Sequence, residues 1–126
     1  MRADEFDKLV QGAYGRIPGD FRNRMQNVAM IVEAEPSPAQ LAEAGVPPGA
    51  TLLGLYLGRP LTQRSVFENF SMPDRIVIFQ GPHERLASGE AQLKRMVEDT
   101  VWHEVAHYFG MNERQVRAAE KRRKGE

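Results

Sequence analysis

Two of the three histidines in the chain stand four residues apart in "HEVAHYFG", residues 103–110, and a glutamate directly follows the first. On a helix, residues four apart differ by about 40° around the axis and by roughly 6 Å along it, so the imidazoles of His103 and His107 converge. Such a pair suits Zn2+, which takes neutral imidazole and keeps tetrahedral room for further donors. Glu104 projects roughly 80° from the mean direction of the two rings, beside the ion, where a carboxylate can take a proton from metal-bound water. The expectation is therefore a metal site with Glu104 as its catalytic base.

Two imidazoles do not complete a protein site, and a third ligand has to be found. On an unbroken helix Glu113 would sit about 240° from His107 and point elsewhere. Gly110 offers a way back, because glycine enters left-handed backbone conformations cheaply and lets the chain turn. Glu113 is then the leading third ligand, with His83, Glu120 or water as alternatives. Each of these residues also has a plain structural use. Gly110 serves as a C-cap in any reading, and Glu113 favours the positive end of a helix that begins after Asn112.

The elements that must position these groups are legible from periodicity. Residues 90–109 form the clearest helix, with Leu93, Val97, Val101, Val105 and Tyr108 along the side that packs on a sheet. Met96 and Thr100 share the histidine side as its wall, while Trp102 either covers the opposite side or lines a cleft. Asn112 and Gln115 make a capping box for a last helix over 112–124. Before them, residues 4–14 read as a helix with Asp4 as cap, and "IPGDFRNRMQN" as a short helix with Pro18 in its first turn. "VAMIVEAEP" reads as a mostly buried strand, 38–44 as one or two helical turns, and "TLLGLYLG" and "PDRIVIFQGP" as further strands bounded by turn residues. A turn is expected at 58–60, and His83 falls in the "GPHE" turn. Short strands beside helices, with few crossovers, give an α+β layer structure in one domain over 1–126, whose residues 114–126 form a basic C-terminal helix and tail.

Composition narrows the function classes. The 126 residues carry 17 Lys+Arg against 17 Asp+Glu, so a net charge of zero gives no reason to expect nucleic acid as partner. With no cysteine, thiolate nucleophiles and thiolate metal sites are excluded. No run of 18 apolar residues is present, so no membrane partner is expected, and "MRADEFDKLV" does not read as a signal peptide. Cytoplasmic is the default location.

Residues 103–110 with Glu113 resemble the zincin metallopeptidases, and especially the metzincin pattern in which a third ligand follows the glycine by three residues. "LLGLYLGRPLTQRS", "PDRIVIFQGP" and "HEVAHYFGMNERQV" are similar to small bacterial zincin-like proteins of minimal size. That resemblance implies a compact α+β zincin-like core, a small mixed sheet packed on a metal-binding helix. It also implies His103, His107 and Glu113 as ligands and Glu104 as general base. The family commonly has aspartate where Glu113 stands, and no later methionine turn of the larger metzincins is present. The function expected is zinc-dependent hydrolysis of a peptide or a locally unfolded protein, added as a strand along "TLLGLYLG" or "RIVIFQ". The alternative is a noncatalytic metal- or peptide-binding module that keeps the zincin scaffold.

Overall fold

The strand Asp74–Phe79 is the axis of the sheet, and its alternation assigns the two faces. In the computed structural model, which describes residues 1–25, 28–58 and 74–123, it pairs in parallel with Val28–Glu33 and antiparallel with Gly54–Leu57. In chain order these are β1 (Val28–Glu33), β2 (Gly54–Leu57) and β3 (Asp74–Phe79), giving a mixed sheet of order β1-β3-β2. Successive side chains of a strand point to opposite faces. Ile76 and Ile78 accordingly enter the main core, while Val77 and Phe79 join a smaller cluster with Leu55 on the other face.

The helices among the described residues are α1 (Ala3–Gly15), α2 (Gly19–Arg24), α3 (Pro38–Glu43), α4 (Gln80–Leu86), α5 (Glu90–Tyr108) and α6 (Glu113–Arg123), and α1 and α5 supply most of the helical side chains that share the main core with Ile76 and Ile78. Leu93, Val97, Val101, Val105 and Tyr108 of α5 are all buried, as their spacing predicts. Phe6, Val10 and Ala13 of α1 close the core from the side. Trp102 lies on the covered side: it is buried and meets the Phe21 ring edge-on at 5.7 Å. The α+β class and the small mixed sheet stand as expected.

Several local expectations change. Asp4 sits inside the first turn of α1 instead of capping it, and Pro18 precedes α2 as its N-cap residue. β1 is half-buried along its whole length, and among the described residues it pairs with β3 on one side only. The strand read through "PDRIVIFQGP" stops at Phe79, and the next residues form α4, with Pro82 in its first turn where no backbone N–H is needed. The Gly81 N–H donates to Ala34 O at 2.9 Å, and Arg85 holds the Glu35 carboxylate through two nitrogens at 2.7 and 2.8 Å. Those hydrogen bonds keep the Glu35 carboxyl below its ordinary 4.5. Another capping box, Ser37 with Gln40, starts α3 beside Pro38. Residues 59–60 of the expected turn, and the tail beyond Arg123, lie outside the described residues.

Candidate functional site

The turn predicted at Gly110 is present and can be specified. Gly110 has φ +80, its N–H donates to His107 O at 2.9 Å, and the Met111 N–H donates to Ala106 O at 3.1 Å. This is the Schellman pattern, which satisfies the last carbonyls of α5 and turns the chain. Asn112 and Gln115 then exchange side chain-to-backbone bonds of 2.9 Å, the expected capping box, and α6 begins at Glu113. The Glu113 side chain lies outside the described residues.

His103 and His107 do meet. Their Nε2 atoms are 3.1 Å apart, with ring centroids at 4.7 Å and planes at 73°. Glu104 is 7% exposed and faces β2 at Gly54. Glu120, from α6, brings Oε1 to 3.8 Å from His103 Nδ1. His83 is fully buried and bonded elsewhere: Nδ1 to Phe79 O at 2.7 Å and Nε2 to Thr100 Oγ1 at 2.9 Å. It is a core histidine of α4, which removes it as a third ligand. Tyr108 is likewise core, with its ring enclosed and its hydroxyl directed at Arg24 O, 3.4 Å away.

Gly54 is what lets β2 lie so close to α5. A Cβ built there would fall 2.8 Å from Thr100 Cγ2, 3.2 Å from Glu104 Cγ and 3.3 Å from Val77 O. Overpacking of this kind costs about 1–3 kcal/mol. Gly54→Ala is therefore expected to lower the unfolding free energy by that amount, seen as a lower urea midpoint with an unchanged slope. A loss under about 0.5 kcal/mol, the range of an ordinary surface change, would show that β2 moves away freely.

Between β2, α5 and the Gly110 corner lies a hollow of about 520 Å³, lined among others by Leu52, Gly54, Tyr56, His103, Glu104, His107 and Asn112. A neighbouring hollow of about 430 Å³ shares Leu52, Gly54, His103 and Glu104 and extends to Met96, Asp99, Thr100 and Glu120. Met96 and Thr100 thus wall the histidine side, as expected. Asp99 escaped the sequence reading, although its i, i+4 spacing to His103 places it on the same helical stripe.

The donor set does not match the zinc expectation. Among the described residues, no group of three or more His, Cys, Asp or Glu side chains is arranged to hold a metal ion. Zinc needs three protein ligands in a catalytic site and four in a structural one, and a pair of imidazoles provides neither. The expected Zn2+ cofactor, the peptidase activity through metal-activated water and the description of α5 as a metal-binding helix are corrected accordingly. What the geometry provides is a partly polar cleft beside β2.

Fold and cleft together define a zincin-like scaffold. The sequence profile of the zincin-like metallopeptidases matches residues 25–123, and the chain belongs to that family. A solved structure of a conserved hypothetical protein from T. thermophilus is 25% identical, with a TM-score of 0.56 over 96% of this chain and 99% of the other. No curated protein matches the chain. No helix among the described residues is long and apolar enough to cross a membrane.

Proposed function

We propose that this chain is a noncatalytic peptide-binding module that retains the zincin scaffold. The observation that carries the reading is the cleft running between β2, the last strand of the sheet among the described residues, and the histidine-bearing face of α5. The register supports it. Phe79 N–H bonds Leu53 O, so Leu53, Leu55 and Leu57 direct their backbone groups at β3, while those of Gly54 point away from it. An extended peptide added there gains backbone hydrogen bonds from the strand and places alternate side chains in the cleft. His103, His107, Glu104 and Asn112 then serve as polar contacts for the peptide, over the apolar surface of Leu52 and Met111.

Isothermal titration with a panel of extended peptides tests this. Binding is expected to fall about tenfold or more when a peptide amide facing β2 is N-methylated, since a lost backbone hydrogen bond also leaves a partner unsatisfied. Mass spectrometry should recover the bound peptide intact after long incubation in metal-supplemented buffer, for wild type and Glu104→Gln alike. Cleavage that disappears in Glu104→Gln would overturn the noncatalytic reading. Affinity indifferent to N-methylation would remove the strand-addition mode.

A further inference from the structure

The outward side of α6 carries a charge pattern that the stability of the helix does not explain. Arg114, Arg117 and Lys121 are all exposed. At about 100° per residue they fall within roughly 60° of one another, nearly opposite the buried Val116 and Ala119. Their side chains meet no carboxylate among the described residues, whereas Arg2, Arg16 and Arg85 each meet one. The remaining described residue on that side, Ala118, is uncharged. Like charges three and four residues apart repel along a helix. Arg114 also stands in the first turn, where the helix dipole disfavours a cation. A face built only for solvation would set carboxylates among its cations.

The same helix forms a rim of the cleft. Asn112, just before it, lines the larger hollow, and Glu120 lines the neighbouring one, with Oε1 3.8 Å from His103 Nδ1. Arg117 stands about 60° around the helix from Glu120, and Lys121 about 100°. A peptide that leaves the cleft past Glu120 therefore passes onto the basic stripe. Arg114 and Lys121 are roughly 10 Å apart along the axis, about the length of three extended residues. α6 has no aromatic residue on which a nucleic-acid base could stack. Its Val116 is buried in the protein and has nothing to insert into a lipid surface. The anions that fit are carboxylates on the peptide itself.

We infer that the module takes peptides in which the segment held in the cleft is flanked by a short run of Asp or Glu lying along Arg114, Arg117 and Lys121. This inference rests on the peptide-binding reading above and adds the chemistry of the ligand beyond the cleft. Exposed ion pairs of this kind are worth about twofold each, so three give about tenfold. Because the flank is tethered to the bound segment, these pairs form within one complex and add to its affinity without a second association.

The test takes an extended peptide from the titration panel and lengthens it at either end with a short run of glutamate, glutamine or lysine. Fluorescence anisotropy against the full chain reads the affinities. At low salt, one end is expected to rank glutamate about tenfold above glutamine, with lysine weakest. At about 1 M salt, where the screening length is roughly 3 Å, that advantage should shrink toward unity. Arg114→Gln, Arg117→Gln and Lys121→Gln combined should abolish the glutamate preference and leave affinity for the glutamine form unchanged. The melting temperature of this variant should be equal to the wild type's or higher, since repulsion along α6 is relieved. Equal affinity for the glutamate and glutamine forms at both ends, or a preference that survives the triple substitution, overturns the acidic flank while peptide binding stands. A mixed-sequence DNA duplex or a phosphatidylserine vesicle that binds through the same three cations more tightly than the glutamate form overturns the peptide as their ligand. Binding by no peptide of the series overturns the peptide-binding reading and the flank with it.

Discussion

Phe6→Ala should lower the unfolding free energy by about 3–5 kcal/mol, the range for truncating a buried aromatic side chain. Phe6 is wholly buried on α1, and its ring lies 5.7 Å from that of His83 at 54°. It belongs to the main core with Val10, Ile76, Ile78, Leu93, Val97 and Val101. Alanine removes the ring and leaves a void that neighbours from a helix and a strand cannot both fill, so the loss contains a transfer part and a cavity part. A domain of this size has about 5–15 kcal/mol of stability in all, so the expected loss is a large share. Urea denaturation should show a lower midpoint at unchanged slope, and the melting temperature should fall by on the order of 10–20 °C. A change below about 1 kcal/mol would show that α1 is a dispensable cover over α5.

The core that this substitution probes was readable because it repeats locally. Leu93, Val97, Val101, Val105 and Tyr108 recur at helical spacing, and all five are buried. Asn112 and Gln115 carry a capping box within four residues, and Gly110 turns the chain at positive φ where a left-handed residue was needed. Such signals depend on neighbours along the chain and survive without knowledge of the tertiary structure. α4 was missed for the opposite reason. "QGPHERL" has seven residues, a glycine and a proline, too short and too broken to show a period. Its placement comes from partners about 50 residues away in β1's trailing segment, through Gly81 to Ala34 and Arg85 to Glu35.

The site divides along the same line. Convergence of His103 and His107 follows from one helix and was legible. A metal site is a property of several elements at once, and the third donor has to arrive from another part of the chain. Spacing after Gly110 nominated Glu113, but a helical start beside a capping residue already accounts for a carboxylate there. Among the described residues the metal cluster does not form. The cleft itself was only half visible. Residues 90–109 announced one wall, whereas Leu52 and Gly54 enter through the register of β2 on β3, which no local pattern encodes. The scaffold holds β2 against the histidine-bearing face of α5.

His83 sets the second large effect, and it depends on pH. Its Nδ1 stands 2.7 Å from Phe79 O, which can only accept, so Nδ1 carries the proton of the neutral ring. Nε2 then accepts from the Thr100 hydroxyl at 2.9 Å. That hydroxyl also lies 2.9 Å from Met96 O, and its single proton serves one of the two partners at a time. Burial disfavours the imidazolium and pulls the ring below its ordinary 6.5, against the opposing pull of the Phe79 and Met96 carbonyls. The unfolded chain therefore takes up this proton first as pH falls. Stability from His83 is complete above about pH 6.5, declines below it, and levels off once the folded ring is itself protonated. Replacing the ring with His83→Ala opens a cavity beside Phe6 and leaves Phe79 O without its donor, at an expected cost of about 2–5 kcal/mol at pH 7. Urea unfolding at a series of pH values, for both proteins, separates the two contributions. The wild-type curve should fall as pH drops below about 6.5, and the gap to His83→Ala should narrow as it does so. A gap constant below about pH 6.5 would mean that the buried ring titrates as it does in the unfolded chain, and that its role is packing alone.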